Sequence, residues 1–335
     1  MKRYENGLVL GKMYPPTKGH LYLIDTAIKQ VKNLYVIVCH NKSQGISGRE
    51  RVNILNRYYR HNHDVTILEL YDEGMPQSDS ECDTLDEFYS YWVPAVHGLV
   101  PDLDVVFTSE DYGDDFGRYL GIEHIMVDQG RKEVTISGSK IRKNPYKNWD
   151  YIPNEAKYLY NKRVALMGPE SVGKTTLSKL LGQHYQTKVV TEWGRVIYEE
   201  KGNHVDLDDF LRISQIRQND EDILIKNANK ILITDTEDIT TYIFSKMFYP
   251  DTYKEIEDLF LEKIRTQKKY DAYILLKPDH SGIQDGTRQF LDNREEHYQD
   301  IKAELDKNKC NYFEVGGNWN ERFESSIGII SDLIS

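Results

Sequence analysis

The sequence predicts an α/β protein with two domains, each a parallel sheet flanked by helices. The first observation is the length, because 335 residues exceed the size at which one hydrophobic core usually keeps growing. The second is that short apolar runs alternate with amphipathic stretches, which is typical of a parallel sheet covered by helices. This alternation restarts after residue 162, near the midpoint. We therefore expect domains over residues 1–150 and 151–335.

Ten apolar runs are predicted to be strands. In the first domain they are 7–10, 34–38, 65–70, 105–107 and 122–127. In the second they are 164–167, 189–191, 231–234, 273–276 and 312–315. Helices are predicted between them, among them 21–31, 51–59, 85–96 and 174–185. Between the two series, residues 143–162 contain two prolines and no convincing strand, so the domain boundary is placed there.

The composition limits the partners. A net charge of -11 and a pI near 5.5 argue against binding to nucleic acid or to an anionic membrane. No window approaches the roughly 18 apolar residues of a membrane span. The three cysteines, Cys39, Cys82 and Cys310, are far apart and indicate neither a disulfide framework nor a zinc site. We expect a cytoplasmic protein; its oligomeric state is left open, with a homo-oligomer as one option.

Residues 168–175, Gly-Pro-Glu-Ser-Val-Gly-Lys-Thr, match the phosphate-binding loop pattern G-x-x-x-x-G-K-S/T. The match lies between a predicted strand and a predicted helix, where the pattern has a structural meaning. Backbone N–H groups there can surround a phosphate, Lys174 adds a positive charge, and the Thr175 hydroxyl can bind Mg²⁺. The residues predicted to bind the nucleotide are Gly168, Glu170, Ser171, Gly173, Lys174, Thr175 and Thr176.

Other polar residues of the second domain follow its predicted strands. Asp235 ends the strand at 231–234, as expected for a carboxylate that binds Mg²⁺, although an ordinary strand-end aspartate is the alternative. Glu192 and Arg195 follow the strand at 189–191, at the sheet edge where ligands bind. Arg288 and Arg294 lie on a polar segment that is predicted to close over phosphates, unless it is a solvated loop.

A second strand-to-helix turn lies in the first domain. Residues 11–20 read Gly-Lys-Met-Tyr-Pro-Pro-Thr-Lys-Gly-His and lead directly into the helix predicted at 21–31. Glycines, a helix N-terminus and a histidine suit the binding of a polyphosphate. A histidine that caps the helix or packs in the core is the alternative for His20.

The segment Thr17-x-Gly19-His20 is similar to the H/T-x-G-H signature of nucleotidylyltransferases. Residues 136–142, Ile-Ser-Gly-Ser-Lys-Ile-Arg, resemble the second signature of that family, I-S-x-S/T-x-x-R. The resemblance implies a Rossmann-like fold and attack by an acceptor phosphate on the α-phosphorus of ATP. It further implies that His20 binds the α-phosphate and that Ser139 and Arg142 hold the β- and γ-phosphates. The other residues implied to bind ATP are Gly11, Met13, Tyr14, Thr17, Gly19 and Ser137.

The pairing of this transferase with a phosphate-loop kinase resembles the NadR-type bifunctional enzymes of pyridine nucleotide salvage. The match extends to local segments such as 72–76, 149–153 and 233–236. It implies a kinase for nicotinamide riboside in 151–335 and an adenylyltransferase that converts NMN and ATP to NAD in 1–150. Members often begin with a helix-turn-helix module; here the first strand begins by residue 7, so none is expected.

The same resemblance suggests roles for residues outside the motifs. Glu192 would bind the acceptor or act as general base, and Arg195 would touch phosphate or substrate; a surface role is the alternative for both. Trp92 and Trp149 are candidates to stack on the nicotinamide ring, or they are packed in the core. Arg49 and Arg51 either meet a substrate phosphate or lie on a solvated helix face.

Two rival functions stay open at this point. One keeps both folds and changes the acceptors, for instance to another phosphorylated metabolite and a deoxynucleoside. The other is a nucleotide-sensing regulator that binds NAD or ATP without turnover. Intact Lys174, Thr175, His20 and Arg142 favour an enzyme over a regulator.

Overall fold

The computed structural model describes residues 3–130, 132–266, 269–280 and 291–335. The chain divides into two compact units, Met1–Lys157 (unit 1) and Tyr158–Ser335 (unit 2). The division falls after residue 157 rather than the predicted 150, because the segment that follows residue 150 packs on unit 1. Arg57 there donates from Nη2 to the carbonyl of Glu155 at 3.1 Å.

Unit 1 contains one five-stranded parallel sheet with the strand order β3-β2-β1-β4-β5. Its strands are β1 (Tyr4–Gly11), β2 (Val31–His40), β3 (Val65–Tyr71), β4 (Val105–Thr108) and β5 (Glu123–Met126). Its helices are α1 (Lys18–Ile28), α2 (Gly48–Tyr58), α3 (Leu85–Leu99), α4 (Gly113–Leu120), α5 (Gly138–Lys143) and α6 (Asn154–Lys157). The order reverses direction at β1, and such a switch point opens a crevice at the carboxyl ends of the strands.

Helices cover both faces of this sheet because consecutive side chains of a strand point in opposite directions. In β1, Leu8 joins a buried cluster with Val106, whereas Val9 joins a different one with Val36 and Phe107. Fully burying one such side chain contributes about 1.5–3 kcal/mol. Strands buried on both faces read as continuous apolar runs, which is why they were visible in the sequence.

Unit 2 contains a second five-stranded parallel sheet, with the order β10-β9-β6-β8-β7. Its strands are β6 (Lys162–Met167), β7 (Val189–Val190), β8 (Ile231–Asp235), β9 (Ala272–Leu276) and β10 (Tyr312–Val315). Its helices are α7 (Lys174–His184), α8 (Trp193–Glu200), α9 (Leu207–Leu224), α10 (Asp238–Phe248), α11 (Lys254–Thr266), α12 (Arg294–Lys307) and α13 (Trp319–Leu333). The central strand β6 again alternates, with Val164 and Ala165 in different buried clusters.

The predicted fold class is confirmed, and each of the ten predicted strands is present with bounds that shift by at most three residues. The helix predicted at 21–31 ends earlier, because Val31 already belongs to β2. Within the described residues, no helix has the length and apolar content needed to cross a membrane.

Candidate active sites

A cavity of about 820 Å³ opens at the carboxyl edge of the unit 1 sheet. Its wall includes the ends of β1 and β2 at Gly11 and Cys39 and the end of β4 at Thr108. The structure brings most of the unit 1 residues that the sequence singled out to this cavity. They are Gly11, Met13, Tyr14, Thr17, Gly19, His20, Trp92, Ser137, Ser139 and Arg142.

The first signature forms the start of α1, with Thr17 as its N-cap. The Thr17 hydroxyl accepts from the His20 backbone N–H at 3.3 Å, and the Thr17 backbone N–H donates to Nδ1 of His20 at 3.0 Å. Because Nδ1 accepts, the neutral ring carries its proton on Nε2, the nitrogen that can then donate to a phosphate oxygen. Thr17 is almost fully buried, so its hydroxyl serves the helix cap and the orientation of His20.

The two signatures lie against each other, although more than 100 residues separate them in the chain. Arg142 donates from Nη1 to the carbonyl of Tyr14 and from Nη2 to the Ser139 hydroxyl at 3.2 Å. A Cβ on Gly138 would lie 2.5 Å from the Tyr14 carbonyl oxygen, so only glycine fits there. Ser137 caps α5 by accepting from the Lys140 backbone N–H. The arrangement holds the Arg142 guanidinium at the cavity next to the first signature.

Arg51 corrects an expectation, because it lies neither at a substrate phosphate nor on a solvated helix face. Its side chain is fully buried and donates to the backbone carbonyls of Lys12 and Cys39. Two guanidinium groups lie near the Tyr14 ring, that of Arg51 at 5.3 Å and that of Arg142 at 4.3 Å from the ring centre. Arg51 therefore fixes the loop that carries the first signature. Arg49 is exposed.

The two tryptophans predicted to meet the nicotinamide ring differ in placement. Trp92 lines the cavity, and its Nε1 donates to the Pro76 carbonyl at 3.0 Å. Trp149 is not among the described residues that line the cavity. Its ring is buried and stacks on Tyr146, with the Lys157 ammonium 5.5 Å from the ring centre. Packing is therefore the role that the structure gives Trp149.

The sequence motifs did not reveal the remaining wall of the cavity. One part is aromatic, with Phe88, Tyr89, Trp92, Tyr112 and Phe116. Another part is acidic, with Asp79, Glu110, Asp111, Asp115 and Asp128. The backbone N–H groups of residues 132–134 donate hydrogen bonds to the Asp128 carboxyl and lower its pKa, with the largest contribution from that of Glu133. No local spacing pattern links these residues, since they come from separate loops and helices.

The phosphate loop of unit 2 joins β6 to α7 with the conformation that the pattern predicts. Gly168, Ser171 and Gly173 have φ values of 140°, 59° and 91°, in the left-handed range that favours glycine. The Lys174 ammonium donates to the carbonyls of Gly168 and Pro169, both at 2.9 Å. Thr176 is exposed one position beyond Thr175. The loop thus has the shape of an anion-binding turn at a helix N-terminus.

Asp235 lies at the end of β8 beside this loop, and the Thr175 hydroxyl hydrogen-bonds its carboxyl group. The Asp235 side chain is 2% exposed, and its Oδ1 has no hydrogen-bond partner among the described residues. Burial raises its pKa to about 7, with a further contribution from the nearby Glu192 carboxylate and an opposing one from Lys174. Two carboxylates that repel each other beside a hydroxyl suit a divalent cation.

The fit to a divalent cation can be checked against the residues around Asp235. Within the described residues, no group of three or more His, Cys, Asp or Glu side chains is placed to hold a metal ion. A cation that arrives with a nucleotide needs only one or two protein ligands, because phosphates and water complete its shell. Asp235 and Thr175 therefore fit a nucleotide-borne cation rather than a resident metal.

A second, largely apolar pocket of about 90 Å³ adjoins the phosphate loop. The predicted residues Glu170, Lys174, Glu192 and Arg195 line it. The aromatic and aliphatic residues in its wall, which the sequence motifs did not indicate, are Trp193, Tyr198, Val205, Phe210, Ile213, Phe244 and Phe248. Arg195 also pairs with Glu199 one turn along α8, at 2.8 Å. The pocket can take a small, flat acceptor beside the phosphates.

Arg288 and most of the segment predicted to close over phosphates lie outside the described residues. Arg294 is described, at the start of α12, and its Nε and Nη1 are buried without a hydrogen-bond partner in the described ranges. Its role in nucleotide binding stays a prediction.

Comparisons with known proteins agree with this architecture. Residues 7–73 match the family described as the citrate lyase ligase C-terminal domain, and residues 163–322 match a family described as an AAA domain. The trifunctional NAD biosynthesis/regulator protein NadR of Escherichia coli (strain K12) is 29% identical over 98% of this chain and 83% of its own length. The protein of the same name from Salmonella typhimurium (strain LT2) is 28% identical over 99% of this chain. The chain is homologous to the NadR proteins.

Three further similarities concern the fold and unit 1. A crystal structure of NadR in complex with NR covers all of this chain and 98% of that one, with a TM-score of 0.81 and 17% identity. A crystal structure of NadR in complex with NAD and AMP-PNP gives a TM-score of 0.78 at 18% identity. The nicotinamide-nucleotide adenylyltransferase of Thermococcus sibiricus (strain DSM 12597 / MM 739) is 26% identical over 41% of this chain and 71% of its own length. The sequence similarity to the Escherichia coli NadR covers 98% of this chain and therefore both units.

Proposed function

We propose that this chain is a bifunctional enzyme of NAD salvage. Unit 2 phosphorylates nicotinamide riboside with ATP, and unit 1 converts the resulting NMN and a second ATP to NAD and pyrophosphate. The observation that carries the proposal is the presence of two separate phosphate sites, one at Lys174 and one at His20 and Arg142, each beside a pocket for an acceptor. The NR, NAD and AMP-PNP bound by the NadR relatives support these substrates.

In unit 2, the nicotinamide ring of the riboside lies in the apolar pocket, and its 5′-hydroxyl lies toward Glu192. The hydroxyl oxygen forms a bond to the γ-phosphorus, the bond to the β–γ bridging oxygen breaks, and ADP leaves. Glu192 accepts the hydroxyl proton, and Lys174 with the loop N–H groups stabilises charge on the transferred phosphoryl group. Mg²⁺, when bound, neutralises phosphate oxygens; Thr175 and Asp235 would hold it.

In unit 1, the phosphate of NMN attacks the α-phosphorus of ATP. The bond between the α-phosphorus and the α–β bridging oxygen breaks, and pyrophosphate leaves without a covalent enzyme intermediate. His20 donates from Nε2 to the α-phosphate, while Ser139 and Arg142 bind the leaving phosphates. This chemistry requires position and charge, and the bonds that fix His20 to Thr17 and Arg142 to Tyr14 supply the position.

The walls of the unit 1 cavity match NMN in chemistry. Its pyridinium ring carries a positive charge, and aromatic faces and nearby carboxylates both attract a cation. Trp92 with its aromatic neighbours gives the faces, and the five acidic residues give the negative field. A volume of about 820 Å³ is in the range of cavities that hold a ligand of the size of a dinucleotide.

The three cysteines are unpaired, which supports the cytoplasm as the place where this enzyme acts. The second candidate function, a regulator that binds NAD without turnover, receives no specific support from the two sites. Both contain the charged groups that turnover needs, Lys174 and Arg142 among them.

The test is to incubate the full chain with nicotinamide riboside, ATP and Mg²⁺ and to separate the products by chromatography over time. We expect NMN to rise first and then fall as NAD and pyrophosphate accumulate. NMN alone would contradict the assignment of unit 1, and binding without any product would contradict both activities.

A further inference from the structure

Arg322 of α13 reaches the phosphate loop of unit 2 from 150 residues away in the chain. Its side chain is 1% exposed. Its Nη1 donates to the Val172 carbonyl at 2.6 Å, and its Nε donates to the Gly317 carbonyl at 2.8 Å. Its Nη2 donates to the Lys277 carbonyl at 3.0 Å and pairs with the Asp279 carboxylate. This buried cation therefore has four acceptors.

The four acceptors belong to three loops. Val172 lies in the phosphate loop after β6, residues 277 and 279 follow β9, and Gly317 follows β10. A guanidinium group is planar and rigid, so its N–H bonds point in fixed directions. When one such group is bonded to three loops, the loops cannot shift independently. Asp279 strengthens the arrangement, because its other oxygen accepts from the Gly317 backbone N–H at 2.6 Å.

The bond to Val172 also sets the direction of the next backbone amide. In a trans peptide, the C=O and the following N–H point in opposite directions. Among the described residues, the only cis peptide bond is Tyr14-Pro15, so the Val172–Gly173 peptide is trans. Its carbonyl faces Arg322, and the Gly173 N–H therefore points away from Arg322.

Trp319 restricts the same peptide from another side. A Cβ on Gly173 would lie 2.2 Å from its ring, so the ring lies directly against the glycine. Trp319 is one turn before Arg322 on α13, and both reach the phosphate loop from this helix. The Gly173 peptide is thus held by a hydrogen bond and by an aromatic surface.

We propose that Arg322 is a positioning residue for the phosphate loop: by holding the Val172 carbonyl, it aims the Gly173 N–H at the phosphates of the nucleotide in unit 2. The proposal rests on the kinase activity proposed above and adds to it a residue outside the motif. Arg322 is not among the described residues that line the apolar pocket beside the loop, so its effect passes through the Val172 carbonyl.

The test compares Arg322→Met and Arg322→Lys with the wild type in the full chain. For riboside phosphorylation, it measures kcat and the KM values for ATP and for nicotinamide riboside. Loss of one oriented hydrogen bond to a charged group raises the KM for ATP about tenfold or more in Arg322→Met. The KM for the riboside stays within about twofold. Arg322→Lys keeps the charge without the fork geometry, and its KM for ATP lies between those of the other two proteins.

Arg163→Lys is the matched control for Arg322→Lys. Arg163 is also a buried arginine in an ion pair, with Glu221 at 2.7 Å, but it lies at the start of β6, away from the phosphate loop. We expect its KM for ATP to be unchanged. If Arg322→Met lowers kcat and leaves the KM for ATP unchanged, Arg322 only maintains the folded fraction and the proposal is overturned.

Asp279→Ala covers the case in which Arg322→Met does not fold. Its carboxylate is one third exposed, and we expect a rise of a few-fold in the KM for ATP; an unchanged KM would contradict the proposal. Calorimetric titration with ATP separates this result from a failure of the proposed function. Lys174→Ala removes ATP binding at unit 2, so comparison with it identifies which part of the titration belongs to that unit. Weaker ATP binding at unit 2 in the Arg322 or Asp279 variant supports positioning even if the riboside is not the acceptor.

Discussion

The two proposed phosphate sites of this chain are built from different structural parts. Unit 2 relies on backbone shape, with Gly168, Ser171 and Gly173 in the left-handed region and one lysine folded against the loop. Unit 1 relies on side chains, with His20 oriented by a helix cap and Arg142 held by a carbonyl and a hydroxyl. A site of the first kind depends mainly on positions that admit no Cβ, and a site of the second kind depends mainly on its functional groups, although Gly138 in unit 1 also admits no Cβ.

The pockets beside the two proposed phosphate sites also differ, in volume and in the polarity of their walls. The pocket beside the unit 2 loop is about 90 Å³ and mostly apolar, whereas the unit 1 cavity is about 820 Å³ and lined by both aromatic and acidic residues. In the proposed function, the unit 1 cavity holds NMN and ATP together, whereas the small pocket of unit 2 holds the ring of the acceptor beside a separate phosphate loop. The larger volume of the unit 1 cavity thus agrees with the proposal that two substrates are joined there.

The largest expected effect comes from adding one methyl group to the unit 2 loop. Gly173→Ala places a Cβ at a φ of 91° and 2.2 Å from the Trp319 ring, so the loop must change shape. We expect riboside phosphorylation to fall about 100-fold or more, with NAD formation from NMN unchanged. The matched control is Gly328→Ala in the middle of α13, where the Cβ meets open space and the helix gains stability. Activity in Gly173→Ala within tenfold of wild type would contradict the account of the loop.

Removing a functional group from unit 2 tests its acid–base chemistry. Glu192→Gln keeps the shape of the side chain and loses the proton acceptor, so kcat for riboside phosphorylation should fall about 100-fold with little change in the KM for ATP. Glu200→Gln is the control, because Glu200 is exposed at the end of α8, the helix that Glu192 precedes. Its kcat should match that of the wild type. A kcat within threefold of wild type in Glu192→Gln would assign the base role elsewhere.

The two tryptophans of unit 1 sharpen the description of the acceptor cavity. Trp92 lines the cavity, so Trp92→Phe should raise the KM for NMN about fivefold, the scale of one aromatic contact. Trp149 is packed against Tyr146, so Trp149→Phe should lower the melting temperature and leave that KM unchanged. Steady-state kinetics and thermal unfolding measure the two effects. A raised KM for NMN in Trp149→Phe with only a lower melting temperature in Trp92→Phe would mean that Trp149 contacts NMN and Trp92 is packing.

Histidines also differ between the units, since His20 faces a cavity and His297 of α12 is buried. Burial, with a smaller contribution from the Lys174 charge, lowers the pKa of His297 to about 3. The unfolded chain binds a proton near pH 6.5 and the folded chain does not, so the free energy of unfolding decreases as the pH falls from about 6.5 toward 3.

At pH 5, the lowered pKa of His297 decreases the free energy of unfolding by about 2 kcal/mol. Urea unfolding of unit 2 at pH 7 and pH 5 should therefore show a larger loss for the wild type than for His297→Gln, by about that amount. Equal losses in the two proteins would mean that the folded ring titrates normally.

The sequence could predict the strands and the positions of the two proposed phosphate sites because their signals are local. Strands such as β6 are continuous apolar runs, and the glycines and lysine of the loop are adjacent in the chain. The meeting of Thr17-x-Gly-His with the segment around Arg142 followed from the family resemblance, and the contact of Arg142 with Tyr14 agrees with it. The strand orders have no local signal and required the structure.

The rest of each site depends on partners that are distant in the chain. Arg51 looked like one charge of a helix face, but its acceptors include the carbonyls of Lys12, just after β1, and of Cys39 in β2. Arg322 stands in no motif, and its acceptors come from three loops. Trp149 was indistinguishable from Trp92 by residue type alone. Such residues are recognised only when tertiary contacts bring their partners together.

The most direct test of the central claim uses two variants, each lacking one site. With riboside and ATP, His20→Ala should accumulate NMN, and Lys174→Ala should form no NMN but should convert added NMN to NAD. An equimolar mixture of the two should restore NAD formation from the riboside, because the product of one site is the substrate of the other. If either folded variant lost both reactions, or if the mixture formed no NAD, the two-site account would be contradicted.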